Sequence, residues 1–373
     1  MEIGIVGLPN VGKSALFKAL TGMTVEVSNY PFTTTHPIRG SAIVPDNRLD
    51  IISRFVPTKK IVHANVDLVD IPAIVPGSSQ GEGMGNAFLE HIRQVDAMAH
   101  VVRCFESEDV SHTHDTLDPV RDAQEVETEL LLADLEVIES AVSKAERRAR
   151  IGKDAEALKR IEVGQKAAAV LESERPLRFE DWTAEERKEL RALGMITLRP
   201  VLYVANISED DIAQATADPE SVAHVKSLRD WVRDREGEHA GLVPVSASLE
   251  AELAEISNPA EHDEMLEAMG LTEPALAVLA RSLYALIGVS SFYTAGPKEV
   301  RAWTIPNGSL APDAAGVIHS DIQRGFIRCE TYSVTDLEQY GSEQAIKTAG
   351  HMRVEGKNYV IQDGDVCHFL FNV

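Results

Sequence analysis

Short apolar runs alternate with amphipathic stretches along much of the chain. The runs cover residues 2–6, 63–72, 99–105, 197–206 and 241–247, and helical periodicity appears at residues 15–20, 84–95 and 274–288. Apolar runs of this length, separated by helical stretches, are typical of buried strands in a largely parallel sheet. The pattern therefore predicts an α/β fold.

A different pattern occupies residues 122–195, where apolar residues recur at alternating spacings of four and three. This spacing is typical of the seam between two packed helices. The seam positions are Leu131, Leu135, Ile138, Val142, Ala145 and Ala149, followed by Ala157, Ile161, Gly164, Ala168 and Leu171. Gly152 marks the bend between the helices. We predict an inserted antiparallel helical hairpin with a basic tip, formed by Lys144, Arg147, Arg148, Arg150 and Lys153.

The last block of the chain, residues 289–373, alternates short strands with turn sequences such as PNGS and QDGD. We therefore predict four segments. Residues 1–121 and 196–288 form one interrupted α/β domain, residues 122–195 form the helical insertion, and residues 289–373 form a separate small domain.

Composition and charge narrow the possible functions. Over 373 residues the formal net charge is −23, which opposes nonspecific binding to DNA or RNA, so any RNA contact requires a local basic patch. The cysteines Cys104, Cys329 and Cys367 lie far apart, which favours a reducing compartment over a zinc or disulfide framework. No apolar run is long enough to span a bilayer, and no signal peptide is recognisable. We expect a cytoplasmic protein with no membrane partner.

The first apolar run leads into the sequence GLPNVGKS at residues 7–14, and a helical pattern follows. Strand, glycine-bounded loop and helix are the context of a Walker A phosphate loop. Lys13 could reach the β- and γ-phosphates of a nucleotide, and the Ser14 hydroxyl could bind Mg²⁺. Backbone contacts to the phosphates are expected from the loop and the helix start, namely from Asn10, Val11, Gly12, Lys13, Ser14 and Ala15.

Two further stretches complete the predicted magnesium site. Asp70 ends the apolar run VDLVD, in the Walker B position, where a carboxylate holds Mg²⁺ directly or through water. The hydroxyl-rich loop NYPFTTT at residues 29–35 lies where a switch NTPase supplies a threonine to the metal. The alternatives are a strand-end aspartate that caps a turn and ordinary turn composition.

The sequence resembles the YchF/Obg-like ATPase family, a branch of the Obg-related P-loop NTPases. The resemblance rests on GLPNVGKS, NYPFTT, GEGMGNAFL and HVVRCFE, and on the C-terminal RAWTIPNG, APDAAGVIH and GDVCHFLFNV, which are similar to a TGS domain of ubiquitin-like β-grasp fold. It implies a Ras-like or Obg-type G domain that hydrolyses ATP with Mg²⁺ and binds the ribosome, as the large subunit or the 70S particle. It also implies a role in translation or stress regulation. By its position in this motif Thr34 would be a metal ligand, and Thr35 is the alternative ligand if the alignment shifts by one residue.

The chain departs from the family in the segment after Asp70. Where the family usually has DxAGL, this chain has DIPAI, so that Ala73 replaces the glycine whose N–H meets the γ-phosphate. Ile74 takes the position of the water-orienting glutamine of Ras-like enzymes, and an isoleucine cannot orient water. The resemblance implies a catalytic histidine in the loop after CFE. His112 matches that position, and His114 is the near alternative.

The base-reading motif also differs from that of GTPases. In place of NKxD the chain reads NISE, so Asn206, Ile207 and Glu209 are the expected base-side residues, followed by Ser246 and Ala247 in the next loop. A guanine clamp without its aspartate loses discrimination. In the family this motif accompanies adenine preference.

The sequence thus predicts a Mg²⁺-dependent, slowly hydrolysing ATPase that acts as a switch on the ribosome, with Lys13 and His112 as catalytic residues. The hairpin tip could contact rRNA phosphates, or it could be a solvated hairpin end. An Obg-like GTPase in ribosome assembly is one alternative function. A non-hydrolysing nucleotide-sensing scaffold is the other.

Overall fold

The structure is a computed structural model that describes residues 1–22, 37–74, 77, 84–107, 109–152, 154–237 and 241–372. The side chains of residues 84–88 are not part of the description. The chain forms two compact units. Met1–Ser41 and Asp67–Leu279 make up the first, and Ala42–Val66 and Ala280–Val373 make up the second.

A six-stranded sheet in the order β2-β4-β1-β5-β6-β7 lies in the first unit, apart from the last three residues of β2 and the first three of β4, which are assigned to the second. Its strands are β1 (Glu2–Val6), β2 (Ile38–Val44), β4 (Ala64–Asp70), β5 (Ala97–Arg103), β6 (Val201–Asn206) and β7 (Leu242–Val245). The pairs β1–β4, β1–β5, β5–β6 and β6–β7 are parallel. Every residue of β5 and β6 is buried, as expected for central strands of a parallel sheet. The carboxyl ends of these strands therefore share one edge of the sheet.

Helices lie between and after these strands along the chain. They are α1 (Lys13–Thr21), α3 (Met84–Gln94), α4 (Pro119–Ile151), α5 (Ala155–Glu172), α6 (Ala184–Ala192), α7 (Glu209–Ala217), α8 (Ala223–Glu236), α9 (Ala247–Glu255), α10 (Pro259–Ala268) and α11 (Ala275–Leu286), with a short 3₁₀ turn at Leu177–Phe179. The helix α1 begins at the phosphate loop, which positions that loop at the carboxyl edge of the sheet.

The helices α4 and α5 form the predicted hairpin. The side chain of Asp118 caps α4, and Pro119 occupies its first turn, where a missing N–H is tolerated. Gly164 lies on the seam, because a Cβ there would stand 2.4 Å from Val142 Cγ2. Buried residues from the hairpin and the segment after it form one apolar cluster: Leu131, Ile138, Val163, Ala167, Val170, Leu171, Leu177, Trp182, Leu190, Met195 and Leu198.

The second unit contains another six-stranded sheet, in the order β11-β10-β12-β8-β9-β3. Its strands are β3 (Ile61–Val62), β8 (Val289–Ala295), β9 (Val300–Pro306), β10 (Phe326–Ser333), β11 (Arg353–Glu355) and β12 (Asp365–Phe371). Its helices are α2 (Asn47–Phe55), α12 (Ala311–Ile318), α13 (Ser320–Arg324), α14 (Val334–Tyr340) and α15 (Glu343–Ala349). The strands β8 and β12 are parallel, whereas β8–β9 and β10–β12 are antiparallel.

Residues 42–66 pack within the second unit, although the sequence analysis assigned them to the first α/β domain. Polar contacts hold them there. Asp46 caps α2, forms an ion pair of 2.9 Å with Arg48, and accepts a hydrogen bond from the Tyr293 hydroxyl. Arg48 in turn binds Asp363 at 2.6 Å. Tyr293 and Asp363 lie far from residues 42–66 in sequence, so local periodicity could not reveal these contacts.

Candidate functional site

The phosphate loop depends on two glycines with positive φ angles. Gly7 has φ 152° and Gly12 has φ 95°. A Cβ on Gly7 would lie 2.4 Å from the carbonyl oxygen of Val101, and one on Gly12 would lie 2.3 Å from Asn206 Nδ2. A Cβ on Gly7 would clash with backbone, and one on Gly12 would displace the buried Asn206 amide, so these positions require glycine for both conformation and space. The loop therefore has the curled backbone that the Walker A sequence predicts.

The Lys13 side chain is almost fully buried against the backbone of this loop. Its Nζ donates to the carbonyl oxygens of Gly7 at 3.1 Å and Leu8 at 2.7 Å. Burial lowers the pKa of Lys13 to about 8, although the negative charge of Asp70 opposes that shift. A buried ammonium next to curled backbone makes the loop a site for a compact anion.

Ser14 and Asp70 meet beside the loop. Ser14 Oγ donates to Asp70 Oδ2 at 2.7 Å, and Asp70 is 1 % exposed. The other carboxylate oxygen, Oδ1, is buried and has no hydrogen-bond partner within the part of the chain that the structure describes. Burial raises the pKa of Asp70, whereas the Ser14 hydroxyl and the Lys13 charge act against that rise. An unpaired carboxylate oxygen beside a hydroxyl fits Mg²⁺, which prefers such oxygen ligands. Thr34 and Thr35, the third candidate ligand and its alternative, lie outside the described residues.

The segment after β4 is tied to the phosphate loop. The backbone N–H of Ile74 donates to the Gly7 carbonyl oxygen at 3.1 Å. The Ile74 side chain is fully buried, and Ala73 beside it is half-buried. Ile74 therefore packs in the core rather than facing an attacking water. The γ-phosphate contact of the Ala73 N–H stays a prediction.

The structure brings His112 near the loop through its neighbour Ser111. Asn10 Nδ2 donates to Ser111 O at 3.2 Å and to Ser111 Oγ at 2.9 Å. His112 Nε2 lies 2.9 Å from Asp122 Oδ2, and His112 Nδ1 lies 3.0 Å from the backbone N–H of His114. A carboxylate only accepts, so Nε2 carries the proton towards Asp122, and in the neutral ring Nδ1 accepts from the backbone.

His114, the alternative histidine, has a different partner. Its Nε2 lies 2.8 Å from a carboxylate oxygen of Glu125, and its side chain is 32 % exposed, against 12 % for His112. His112 is thus the more buried of the two histidines. Its catalytic role stays a prediction.

Arg103 organises the loop that carries His112, and the sequence analysis did not identify it. The residue is 3 % exposed, and its guanidinium donates to the carbonyl oxygens of Phe105 and Val110, each at 3.0 Å. The same group lies over the Phe105 ring at 4.5 Å. The signal that could have found it is a lone arginine in the otherwise apolar run HVVRCFE. The sequence alone does not reveal which groups this arginine binds.

Asn206 connects the phosphate loop to the last base-side loop. Its Nδ2 donates to Val11 O at 2.9 Å, and its Oδ1 accepts from the Ala247 N–H at 3.0 Å. The residue is 5 % exposed. Asn206 therefore holds the two loops together. Its predicted hydrogen bond to a base stays a prediction.

The other base-side residues lie around the ends of β6 and β7. Ile207 is buried and its N–H donates to Val245 O at 2.9 Å. Glu209 is the first residue of α7 and is partly exposed. Ser246 is fully buried, with its Oγ 3.1 Å from that of Ser248. The fold thus gathers the predicted base-side residues at the sheet edge that carries the phosphate loop.

Comparison with known proteins agrees with this arrangement. A family model described as "50S ribosome-binding GTPase" matches residues 2–133, and the model YchF-GTPase_C, described as "Protein of unknown function (DUF933)", matches residues 289–372. The chain is 44% identical over 373 residues to "Ribosome-binding ATPase YchF" of Bacillus subtilis, covering 100% of both chains. The chain belongs to the YchF family.

Two further YchF relatives extend the match. The Escherichia coli O157:H7 "Ribosome-binding ATPase YchF" is 43% identical, with 100% of this chain and 99% of the relative covered. The solved "Structure of the Schizosaccharomyces pombe YchF GTPase" superposes with a TM-score of 0.84 at 32% identity, covering 99% of this chain and 97% of that one.

The predicted family resemblance and the P-loop NTPase fold with a C-terminal domain are confirmed. The finer assignment of residues 289–373 as a TGS domain and the predicted domain boundaries stay predictions. Among the described residues, no helix is both long enough and apolar enough to cross a membrane.

Proposed function

We propose that this chain is a cytoplasmic, Mg²⁺-dependent ATPase with slow basal turnover that binds the ribosome and acts in translation or stress regulation. One observation carries the proposal: the Ser14–Asp70 pair, with its unpartnered carboxylate oxygen, lies beside a phosphate loop that contains the buried Lys13. The names of the relatives, which pair "ribosome-binding" with "ATPase", supply the partner and the reaction.

The residues of this chain would divide the chemistry as follows. Loop N–H groups and Lys13 would hold the phosphates, because anions bind curled backbone at a helix start. Ser14, Asp70 and Thr34 would hold Mg²⁺, which neutralises phosphate charge. His112 Nδ1 would orient or deprotonate the attacking water after exchanging its hydrogen bond from the His114 N–H for that water, with Asp122 fixing the ring through Nε2. Slow turnover is expected because Ile74 is buried and apolar where Ras-like enzymes have a glutamine.

GTP hydrolysis is the second candidate, since one family model and the fission-yeast structure are described as GTPases. The base-side loop argues against it. At the clamp position the chain has Glu209 instead of aspartate, and the buried Ile207 stands in place of the lysine. A site that lacks its bidentate partner discriminates poorly for guanine.

The ribosome contact is proposed for the hairpin tip. Arg147 and Arg150 are exposed there, and Arg148 forms an exposed ion pair of 2.7 Å with Asp154. Ile151 at the turn is 89% exposed. In a chain of net charge −23, this tip supplies the local positive charge that a phosphate backbone requires. Lys153, also assigned to the tip, lies outside the described residues.

A single-turnover assay tests the proposal. Radiolabelled ATP and GTP are each incubated with excess protein and Mg²⁺, with and without ribosomes. We expect ATP to be hydrolysed far more slowly than the roughly 10 s⁻¹ of a median enzyme, and GTP to be a poorer substrate. Tight ATP binding without any hydrolysis, even with ribosomes, would favour the scaffold alternative instead.

A further inference from the structure

The helix α4 carries buried carboxylates that contact the candidate active site. Asp122 and Glu129 are 2 % and 6 % exposed. They are seven residues apart, so they lie on the same helix face about 10 Å apart along the axis. Burying a carboxylate is costly unless it is hydrogen-bonded, so each partner indicates what the residue does.

The two carboxylates bind two residues that are far apart in sequence, His112 and Gly77. Asp122 Oδ2 binds His112 Nε2 at 2.9 Å, as described above. Glu129 Oε1 accepts a hydrogen bond of 2.5 Å from the backbone N–H of Gly77. Gly77 follows Ile74, whose own N–H is bonded to Gly7 in the phosphate loop.

The Gly77 backbone is well suited to such a contact. Its φ of 81° lies in the left-handed region, and a Cβ there would meet open space. Glycine at this position is therefore explained by conformation and not by crowding. The contact is a charge-assisted hydrogen bond, which is stronger than a neutral one and fixes the direction of the N–H.

We propose that Glu129 is a positioning residue, which binds the Gly77 N–H and so sets the Gly77 backbone relative to His112. The inference rests on the proposed ATPase function for its kinetic consequence. The helix α4 then acts as a spacer between His112 and Gly77, because its carboxylates bind both. Removal of this hydrogen bond should misplace reacting groups without removing any of them.

The test compares Glu129→Ala, Glu129→Gln and a control, Glu139→Ala, which changes an exposed glutamate on the same helix. We expect Glu129→Ala to lower kcat by about 10- to 100-fold, because small misplacements have effects of that size. ATP affinity and melting temperature should stay close to those of the parent. Glu129→Gln keeps an acceptor oxygen and should recover part of the rate, whereas Glu139→Ala should match the parent.

Hydrogen exchange at the Gly77 amide provides a readout that does not depend on hydrolysis. We expect faster exchange at Gly77 in Glu129→Ala and unchanged exchange at Thr197, whose N–H is held by Asp134 instead. The proposal would be overturned if Glu129→Ala had the same Gly77 exchange rate and the same kcat as the parent. A fall in kcat that is accompanied by clear falls in both ATP affinity and melting temperature would also overturn it. If the parent itself hydrolyses no ATP, the proposed function fails, and the exchange result still judges the Gly77 hydrogen bond.

Discussion

Ser14 Oγ and Asp70 Oδ2 are 2.7 Å apart, although the residues are separated by 56 positions in sequence. The first lies in the first turn of α1, and the second ends β4. Their contact brings a hydroxyl and a buried carboxylate to one side of the phosphate loop. This is the arrangement from which the metal-dependent part of nucleotide binding should come.

Ser14→Ala should therefore weaken ATP binding in the presence of Mg²⁺ and change it little in excess chelator, because only the hydroxyl is removed. Calorimetric titrations with and without Mg²⁺ measure this difference. Ala15→Ser, at the next position of the same helix, is the matched control and should leave the Mg²⁺ effect intact. An equal loss under both conditions would mean that Ser14 acts through the fold of the loop.

His112→Ala should lower kcat by about 10²-fold or more, within the range for a positioned acid–base group, and change ATP affinity much less. Steady-state hydrolysis and ATP titration on the same preparation separate the two effects. His114→Ala is the matched control, because its partner is Glu125 and not Asp122. If only the His114 variant loses activity, the register assigned to the catalytic histidine is wrong.

The hairpin tip should supply the salt-sensitive part of ribosome binding. Neutralising Arg147, Arg148 and Arg150 together should weaken co-sedimentation and flatten its dependence on salt, by about 0.7–0.9 units of logarithmic slope for each phosphate that is no longer neutralised. Removing residues 289–373 is the contrasting variant and should weaken binding without a large change of slope. A triple variant that pellets like the parent across the salt series would show that the tip is a solvated hairpin end.

Glu250 should make stability depend on pH. It is buried in α9 and accepts a hydrogen bond of 2.6 Å from the Ala275 N–H, and burial raises its pKa to about 7. The unfolded chain loses this proton near pH 4.5, whereas the folded chain keeps it until about pH 7. The free energy of unfolding should thus fall as pH rises between these values, by up to about 3 kcal/mol.

Glu250→Gln tests this pH effect, because glutamine keeps the acceptor oxygen and cannot ionise. Denaturant unfolding of parent and variant at pH 5 and pH 8 measures the difference. The variant should gain stability over the parent on going to pH 8. Glu252→Gln, two residues further along α9 and exposed, should show no such gain. Parallel pH curves for the parent and Glu250→Gln would contradict the assignment.

The phosphate-binding part of the site could be predicted because its chemistry is local. Gly7, Gly12 and Lys13 belong to one continuous motif, and the backbone conformation follows from residue type. Asp70 could be added because parallel strands end at a common edge. The hairpin was predictable for the same reason, since a seam is a periodic pattern within each helix.

The interactions of the buried acidic residues in α4 could not be predicted. Asp122, Glu129 and Asp134 are acidic residues in a long helix of an acidic chain, and sequence alone favours a solvated face for such residues. Their burial depends on partners 10 to 63 positions away, such as His112 and Thr197. Asn206 was predicted as a base-side residue, but its use in joining the two loops depends on the approach of Val11, which only the fold defines.

The most direct test is calorimetric titration of ATP and GTP, with Mg²⁺, into the parent chain, Lys13→Ala and the same-helix control Lys18→Ala. We predict that the parent and Lys18→Ala bind ATP more tightly than GTP. A folded Lys13→Ala should show no measurable ATP binding. Tighter binding of GTP by the parent, or near-normal ATP affinity in Lys13→Ala, would contradict it.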